Sequence, residues 1–293
     1  MMLHSILRWM VSRGHTATVY AAGVPGYPYT FEDYTLDGVN ISARPEAITG
    51  ARIVLTHLDR TVDASRWAAE HDARLAVLVH NHLQQKRHPV PAALSIYNTD
   101  WLAGLCGRPG IVVHPPIRGE DYRCRVRPRY LTLINRNEGK GARTFYRVAK
   151  IMPEHDFLAV AGAYGEQLEP TSSNVTTWPM RVDARAIYRQ TAALIMPSLY
   201  ESYGRTALEA AYAGVPVIAR KATWTGGLQE ALGDGGVWVT GDNPARWRAA
   251  ITGVLEDLPA ARRRIAKSLE RVDSEAELED LEHALGQIVR RAV

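Results

Sequence analysis

Short β-branched and apolar runs alternate along the chain with longer stretches in which apolar residues recur every three to four positions. That alternation predicts a parallel α/β architecture. In the first part of the chain the predicted strands are Ala17–Tyr20, Ile53–Leu55, Leu75–Val79, Leu94–Tyr97 and Ile111–Val113. A helix over Leu3–Arg13 precedes them and stops at Gly14, a residue suited to ending a helix. A second set begins further on, with strands at Tyr130–Ile134, Leu158–Val160, Leu194–Met196, Pro216–Ala219 and Val237–Val239. Its predicted helices lie near Ala142–Ile151, Ala184–Thr191 and Arg205–Ala213. From Pro244 to Val293 the pattern is helical, with interruptions around Pro259 and Val272.

Between the two sets, His114-Pro115-Pro116-Ile117 and the arginine-rich Arg118–Arg129 lose all periodicity, which reads as a linker. The predicted division is an N-terminal domain over 1–116, a linker over 117–129, a second domain over 130–274 and a C-terminal helix over 275–293. Open α/β sheets ordinarily begin with a strand and a glycine-rich turn, whereas this sequence opens inside a helix. The first βα unit of the N-terminal domain is therefore expected to be missing, or to be completed by another segment.

With 293 residues the chain is long enough for two domains, and it can bury a large core without disulfides. Cys106 and Cys124 are the only cysteines and read as free thiols. Hydrophobic residues make up 46% and charged residues 23%, which argues against disorder. No apolar run approaches the roughly 20 residues that span a bilayer, and the first residues lack a signal-peptide layout. A cytoplasmic location is expected. The net charge of +4, with arginines gathered at Arg118–Arg129 and Arg262–Arg264, permits peripheral contact with a membrane, with nucleic acid or with a phosphorylated substrate. It equally describes a solvated surface.

Chemistry concentrates in Pro197-Ser198-Leu199-Tyr200-Glu201-Ser202-Tyr203-Gly204-Arg205-Thr206-Ala207-Leu208-Glu209-Ala210. Here a buried strand runs into a loop and then into a helix starting at Gly204–Arg205, so backbone N–H groups at the helix start form an anion site. Glu201 stands before that helix and Glu209 inside it, eight positions apart. Two carboxylates flanking a phosphate cradle suit a ligand with hydroxyls at both ends of a diphosphate. By themselves, two glutamates read more simply as a helix-start charge and an exposed helix residue.

A second element is Asn135-Arg136-Asn137-Glu138-Gly139-Lys140-Gly141, directly after the strand Tyr130–Ile134. Arg136 and Lys140 on this turn could clamp a diphosphate, or be two solvated cations. Gly139-Lys140 lacks the upstream glycine and the following Ser/Thr of a P-loop, and no Gly-x-Gly-x-x-Gly follows a strand. His57, His71, His80, His82, His88 and His114 gather in the first half. His80 and His82 would share one face of an extended chain, but no Cys/His set has the usual zinc spacing. The loop that carries His80 follows a central strand, which is where open α/β sheets bind ligands.

The Glu201–Glu209 segment resembles the glutamate-x7-glutamate motif of the retaining glycosyltransferases of family 4 (glycosyl transferases group 1). The likeness continues through Ala211-Tyr212-Ala213-Gly214-Val215-Pro216-Val217-Ile218-Ala219 and Gly226-Gly227-Leu228-Gln229-Glu230. Fainter likenesses lie at Ser12–Val19, Tyr97–Trp101 and Val112–Ile117. The resemblance implies an α/β GT-B fold: two Rossmann-like domains with parallel sheets facing a central cleft, and a C-terminal helix packing back on the first. It implies a retaining enzyme that moves a sugar from a nucleotide-diphosphate sugar, UDP- or GDP-linked, to an acceptor hydroxyl.

On that resemblance Glu201 meets the donor sugar and Glu209 the ribose. Ser202, Tyr203, Gly204, Arg205 and Thr206 surround the diphosphate, and Arg136 and Lys140 neutralise it. His80 lies against sugar and acceptor, while Trp178 and Met180 flank the base. The sequence contains no Asp-x-Asp, so no metal or other cofactor is expected. The acceptor is left open among a sugar, a lipid-linked glycan, a protein and a modified nucleic acid base. Two other readings stay open: a non-catalytic nucleotide-sugar-binding protein or incomplete enzyme, and a same-fold enzyme with other chemistry such as an epimerase.

Overall fold

The computed structural model describes residues 2–20, 34–36, 38–42, 48–87, 89–181, 183–271 and 274–290. The chain divides into two compact units, one formed by Met1–Pro116 with Ser274–Val293 and the other by Ile117–Asp273.

In the first unit the elements run α1 (Met2–Ser12), β1 (Thr18–Tyr20), β2 (Tyr34–Leu36), β3 (Val39–Ser42), β4 (Ile53–His57), α2 (Thr61–Glu70), β5 (Arg74–Val79), α3 (Gln84–Arg87), β6 (Leu94–Tyr97), α4 (Asp100–Cys106) and β7 (Ile111–Val112). Strands β4-β5-β6-β7 form a parallel sheet in that order. Its central strand β5 is buried along nearly its whole length, as the unbroken run Leu75–Val79 requires of a strand covered on both faces. A separate small sheet has the order β1-β3-β2.

The second unit continues with β8 (Tyr130–Ile134), α5 (Ala142–Lys150), β9 (Phe157–Val160), β10 (Val175–Trp178), α6 (Arg185–Tyr188), β11 (Thr191–Met196), α7 (Arg205–Tyr212), β12 (Val217–Arg220), α8 (Gly226–Leu232), β13 (Val237–Val239), α9 (Pro244–Glu256) and α10 (Leu258–Ala266). The chain then returns to the first unit as α11 (Ser274–Arg290). There Leu278, Leu281 and Leu285 of α11 pack with Ile6 and Met10 of α1 and Leu78 of β5. Glu277 fastens the helix by accepting from the His114 backbone N–H at 2.7 Å and pairing with His114 Nδ1 at 2.6 Å. Among the described residues no helix is long and apolar enough to cross a membrane.

Most predicted elements recur within a residue or two, but two differences have local causes. The helix read over Ala184–Thr191 is only Arg185–Tyr188. Thr191 already belongs to β11, where its hydroxyl donates to Ile187 O at 2.9 Å and lies 2.9 Å from that of Thr132. The expected interruption around Pro259 is present at Asp257, between α9 and α10; Pro259 sits in the first turn of α10, capped by the Asp257 carboxylate, the turn where proline lacks no hydrogen bond. The expected break at Val272 lies outside the described residues. The stretch read as a linker is laid against the second unit: Tyr122 is buried, and Ile117, Cys124 and Val126 pack on the same cluster as Tyr188 and Ala207.

The six-stranded sheet of the second unit has the order β10-β9-β8-β11-β12-β13, and its neighbouring strands pair in parallel. Renumbered within the sheet this is 3-2-1-4-5-6, the doubly wound order whose direction of growth reverses between its first and fourth strands. Helix α5, after β8, buries Phe145 and Val148 in one core layer. Helix α7, after β11, buries Ala207 and Leu208 in the other. The two helices leave the sheet on opposite faces, so the carboxyl ends of β8 and β11 border a crevice.

Candidate functional site

Both chemistry-bearing segments of the second unit open from that reversal point. After β8 the chain turns at Asn135, whose φ of 65° is left-handed. The Asn135 side chain accepts from Asn137 Nδ2 and Gln167 Nε2, each at 3.0 Å. Asn137 caps the following 3-10 turn by accepting from the Lys140 N–H at 2.8 Å. The loop after β11 lies against this turn, with Leu199 N–H donating to Gly139 O at 2.9 Å. Gly141, at φ 81°, presses on Pro197: a Cβ there would stand 2.3 Å from the Pro197 carbonyl oxygen. That oxygen also accepts from Arg220 Nε at 3.0 Å.

The two loops are joined by a nearly buried ion pair. Lys140 Nζ donates to Glu201 Oε1 at 2.5 Å, with the side chains 22% and 8% exposed. Burial by itself would lower the Lys140 ammonium. The Glu201 charge, Tyr164 and the hydrogen bonds to both outweigh it and hold the ammonium above the ordinary lysine value. A lysine has three donors, so this is a compact cation held ready at the mouth of the crevice. Glu201 is positioned by its own N–H, which donates to Trp224 O at 2.9 Å, and the next residue is braced where Gly227 approaches Ser202 O.

Helix α7 starts here. Its N-cap is Gly204, left-handed at φ 82° and so close to Leu228 that a Cβ would stand 2.3 Å from Leu228 Cδ1. The partial positive charge of a helix amino terminus therefore lies beside Lys140 and Glu201. Of the neighbours, Tyr203 points into the core and Ser202 and Thr206 are half-buried. Glu209 is buried in a network of its own. Arg205 Nε donates to its Oε1 at 2.9 Å, Tyr188 OH to its Oε2 at 3.0 Å, and Arg205 Nη2 to Tyr122 OH at 3.2 Å.

The two cations read as one clamp go to different partners. Arg136 Nη1 donates to Leu168 O at 2.8 Å and Glu169 Oε1 at 2.5 Å, and Lys140 alone meets Glu201. The cause is local, since the loop carrying Leu168 folds back so that Leu168 N–H donates to Arg136 O. Trp178 ends the outermost strand β10, with Arg181 stacked 5.1 Å from its ring centroid. Met180, just beyond, is 58% exposed.

In the first unit His80 follows β5, and the ring beside it belongs to His57, at the end of the adjacent strand β4. Their centroids lie 5.2 Å apart, edge to face. His80 N–H donates to Gln84 Oε1 at 2.9 Å, and Gln84 Nε2 to Leu78 O at 2.7 Å, which fixes the loop. Burial, aided by His57, lowers the His80 imidazole from 6.5 to about 4. Burial likewise lowers His57.

A stability effect follows. Between these values the unfolded chain binds the proton and the folded one does not. The contribution of His80 is full above pH 6.5 and shrinks as pH falls towards 4. Across that window it amounts to about 2–3 kcal/mol. Urea midpoints of wild type and His80→Gln, taken at pH 7.5 and pH 4.5, should show wild type losing more on acidification. An equal loss in both would contradict a neutral, buried His80.

His57, Tyr164, Tyr188 and Arg220 were not singled out from the sequence as site residues, although His57 fell in the histidine cluster. For the other three, the contacts join residues far apart in the chain, and no local motif marks them.

Residues 129–257 match the family described as Glycosyl transferases group 1. A D-inositol 3-phosphate glycosyltransferase of Segniliparus rotundus is 35% identical over 123 residues, covering 37% of this chain and 27% of that protein. A glycogen synthase of Mycobacterium tuberculosis is 35% identical over 105 residues, covering 35% and 25%. The chain thus spans about a quarter of the length of the curated relatives it matches. In fold, a sucrose-phosphate synthase from Thermosynechococcus elongatus superposes with a TM-score of 0.76 at 14% identity, over 99% of this chain and 93% of that one. Anabaena HepE, solved in complex with UDP-glucose, gives 0.66 at 16% identity, over 80% and 78%. The fold is GT-B, and residues 129–257 are a glycosyl transferases group 1 domain.

Proposed function

We propose, from the premise of that domain, that the protein transfers a sugar from a nucleotide-diphosphate sugar to an acceptor hydroxyl, with retention of configuration and without a metal. The observation that carries the reading is the Lys140–Glu201 pair at the strand-order reversal, beside the amino terminus of α7. A pyrophosphate placed there meets an ammonium and a helix dipole, which together stabilise the charge that develops on the leaving diphosphate. Glu201 accepts from hydroxyls of the donor sugar, and Glu209 from the ribose.

In this reading the second unit binds the donor, UDP- or GDP-linked, with the base towards Trp178 and Met180. The first unit supplies the acceptor side, where His80, neutral because burial lowers it to about 4, offers hydrogen bonds to sugar and acceptor hydroxyls. Arg136 contributes to the diphosphate once it exchanges Glu169 for phosphate, an exchange that its exposed partner, 69% accessible, permits. The relatives' names, an inositol-phosphate glycosyltransferase and a glycogen synthase, favour a hydroxyl-rich acceptor over a protein or a nucleic acid.

The test is thermal denaturation against UDP-glucose, UDP-galactose, UDP-N-acetylglucosamine, GDP-mannose and ADP-glucose. One donor at 100 times its Kd should add about 2.7 kcal/mol, a rise of several degrees. That donor should then be consumed in the presence of inositol phosphate or an α-glucan. A flat response across the panel overturns the donor assignment.

A further inference from the structure

The buried Glu209 carboxylate accepts from one neutral donor, Tyr188, and one cationic donor, Arg205. We infer that Tyr188 and Arg205 are positioning residues that hold the Glu209 carboxylate in the one orientation able to read the ribose hydroxyls of the nucleotide, and so set preference for ribo- over deoxyribonucleotides. This rests on the donor reading above.

The geometry is specific. Arg205, one turn earlier on α7, donates to Oε1, and Tyr188, from α6, donates to Oε2. One partner on each oxygen fixes the plane of the group about its last torsion, which is otherwise broad. A carboxylate offers about four acceptor positions, so capacity remains on it for a ligand. The Tyr188 hydroxyl also lies 3.2 Å from Thr206 O. Its single proton goes to the closer carboxylate, because hydrogen bonds to a charged acceptor are the stronger ones.

Burial, reinforced by the Glu209 charge, pushes the Tyr188 hydroxyl well above its ordinary value, so it stays a donor. Arg205 is held from its far side by the Tyr122 hydroxyl. Tyr122 follows a 3-10 turn at Gly119–Asp121 that is packed against Tyr212 of α7. Thus three segments, residues 119–122, 185–188 and 205–209, converge on one carboxylate that lies in the same helix as the anion site.

The experiment is calorimetric titration of UDP, GDP and ADP, each alongside its 2′-deoxy counterpart, into wild type, Tyr188→Phe, Arg205→Lys and Glu209→Gln. Wild type should favour the ribo form of its best nucleotide by about 10- to 100-fold, the range for a hydrogen bond to a charged group. Tyr188→Phe should shrink that ratio several-fold, since only the hydroxyl is lost. Glu209→Gln should bring it near one. Arg205→Lys, which keeps the charge and loses the fork, should fall between.

If none of the three nucleotides binds wild type, or if Glu209→Gln keeps the full ratio, the ribose assignment itself falls. If Glu209→Gln loses the ratio while Tyr188→Phe and Arg205→Lys both keep it, only the positioning role is overturned. Should Tyr188→Phe fail to fold, Arg205→Lys decides by the same readout.

Discussion

Lys140→Met should reduce turnover of the donor by three orders of magnitude or more. The ammonium is the cation that lies on Glu201 at the start of α7. In the proposed transfer the leaving diphosphate gains charge beside it, and one preorganised donor at such a point is worth about 10²–10³ in rate. A full charge on a largely buried ammonium adds to that. The same substitution strands the Glu201 carboxylate, 8% exposed, without its cation. Removing one partner of a buried ion pair typically costs about 3–5 kcal/mol, so a loss of turnover by itself would not separate chemistry from folding.

The double variant Lys140→Met with Glu201→Gln separates them. Replacing the stranded charge by an amide should restore most of the melting temperature, because the uncompensated carboxylate is gone. Turnover should stay as low as in the single variant or lower. Both are read from melts and from steady-state nucleotide release with saturating donor. A double variant with turnover within tenfold of wild type would remove Lys140 and Glu201 from the mechanism.

How far such a site is legible in sequence depends on whether its contacts are local. Strands β8 and β11 and helix α7 were readable because their apolar runs are buried and continuous, and the order of strand, loop and helix then puts Gly204 at a helix start. Strand β10 was not, since Val175–Trp178 is an edge strand with two of its four residues exposed. It carries no alternation strong enough to stand out. Helix α2 buries only Thr61 and Ala68 and was missed for the same reason.

Within the site, Lys140 and Glu201 were each named from local motifs. That they meet follows from β8 and β11 being neighbours, which no window of sequence displays. Arg136 shows the converse. Its position on the loop suggested a phosphate clamp beside Lys140, but a loop 32 residues away supplies both acceptors of its Nη1. Tyr188 lies 21 residues from Glu209, in a helix of four residues too short to give a periodic signal.

Gly141→Ala should cost about 3 kcal/mol of stability, lower the melting temperature by several degrees, and weaken donor binding at least tenfold well below that temperature. Two terms add. A left-handed backbone costs any residue with a Cβ about 1–2 kcal/mol, and Gly141 has φ 81°. The new Cβ would then stand 2.3 Å from the Pro197 carbonyl oxygen, 2.6 Å from its carbon and 2.8 Å from its Cβ. A flexible side chain could move aside, but this carbonyl directly follows β11 and already accepts from the buried Arg220. The strain is relieved by separating the loop of Lys140 from the loop of Glu201, which is why donor binding should weaken even where the variant stays folded. Gly214→Ala is the control, since its φ of 72° carries the first term and nothing lies within 4 Å of its Cβ position. That variant should lose about 1 kcal/mol and bind the donor as wild type does. Paired melts and donor titrations measure both terms, and equal losses in the two variants would mean that the loops after β8 and β11 are not pressed together.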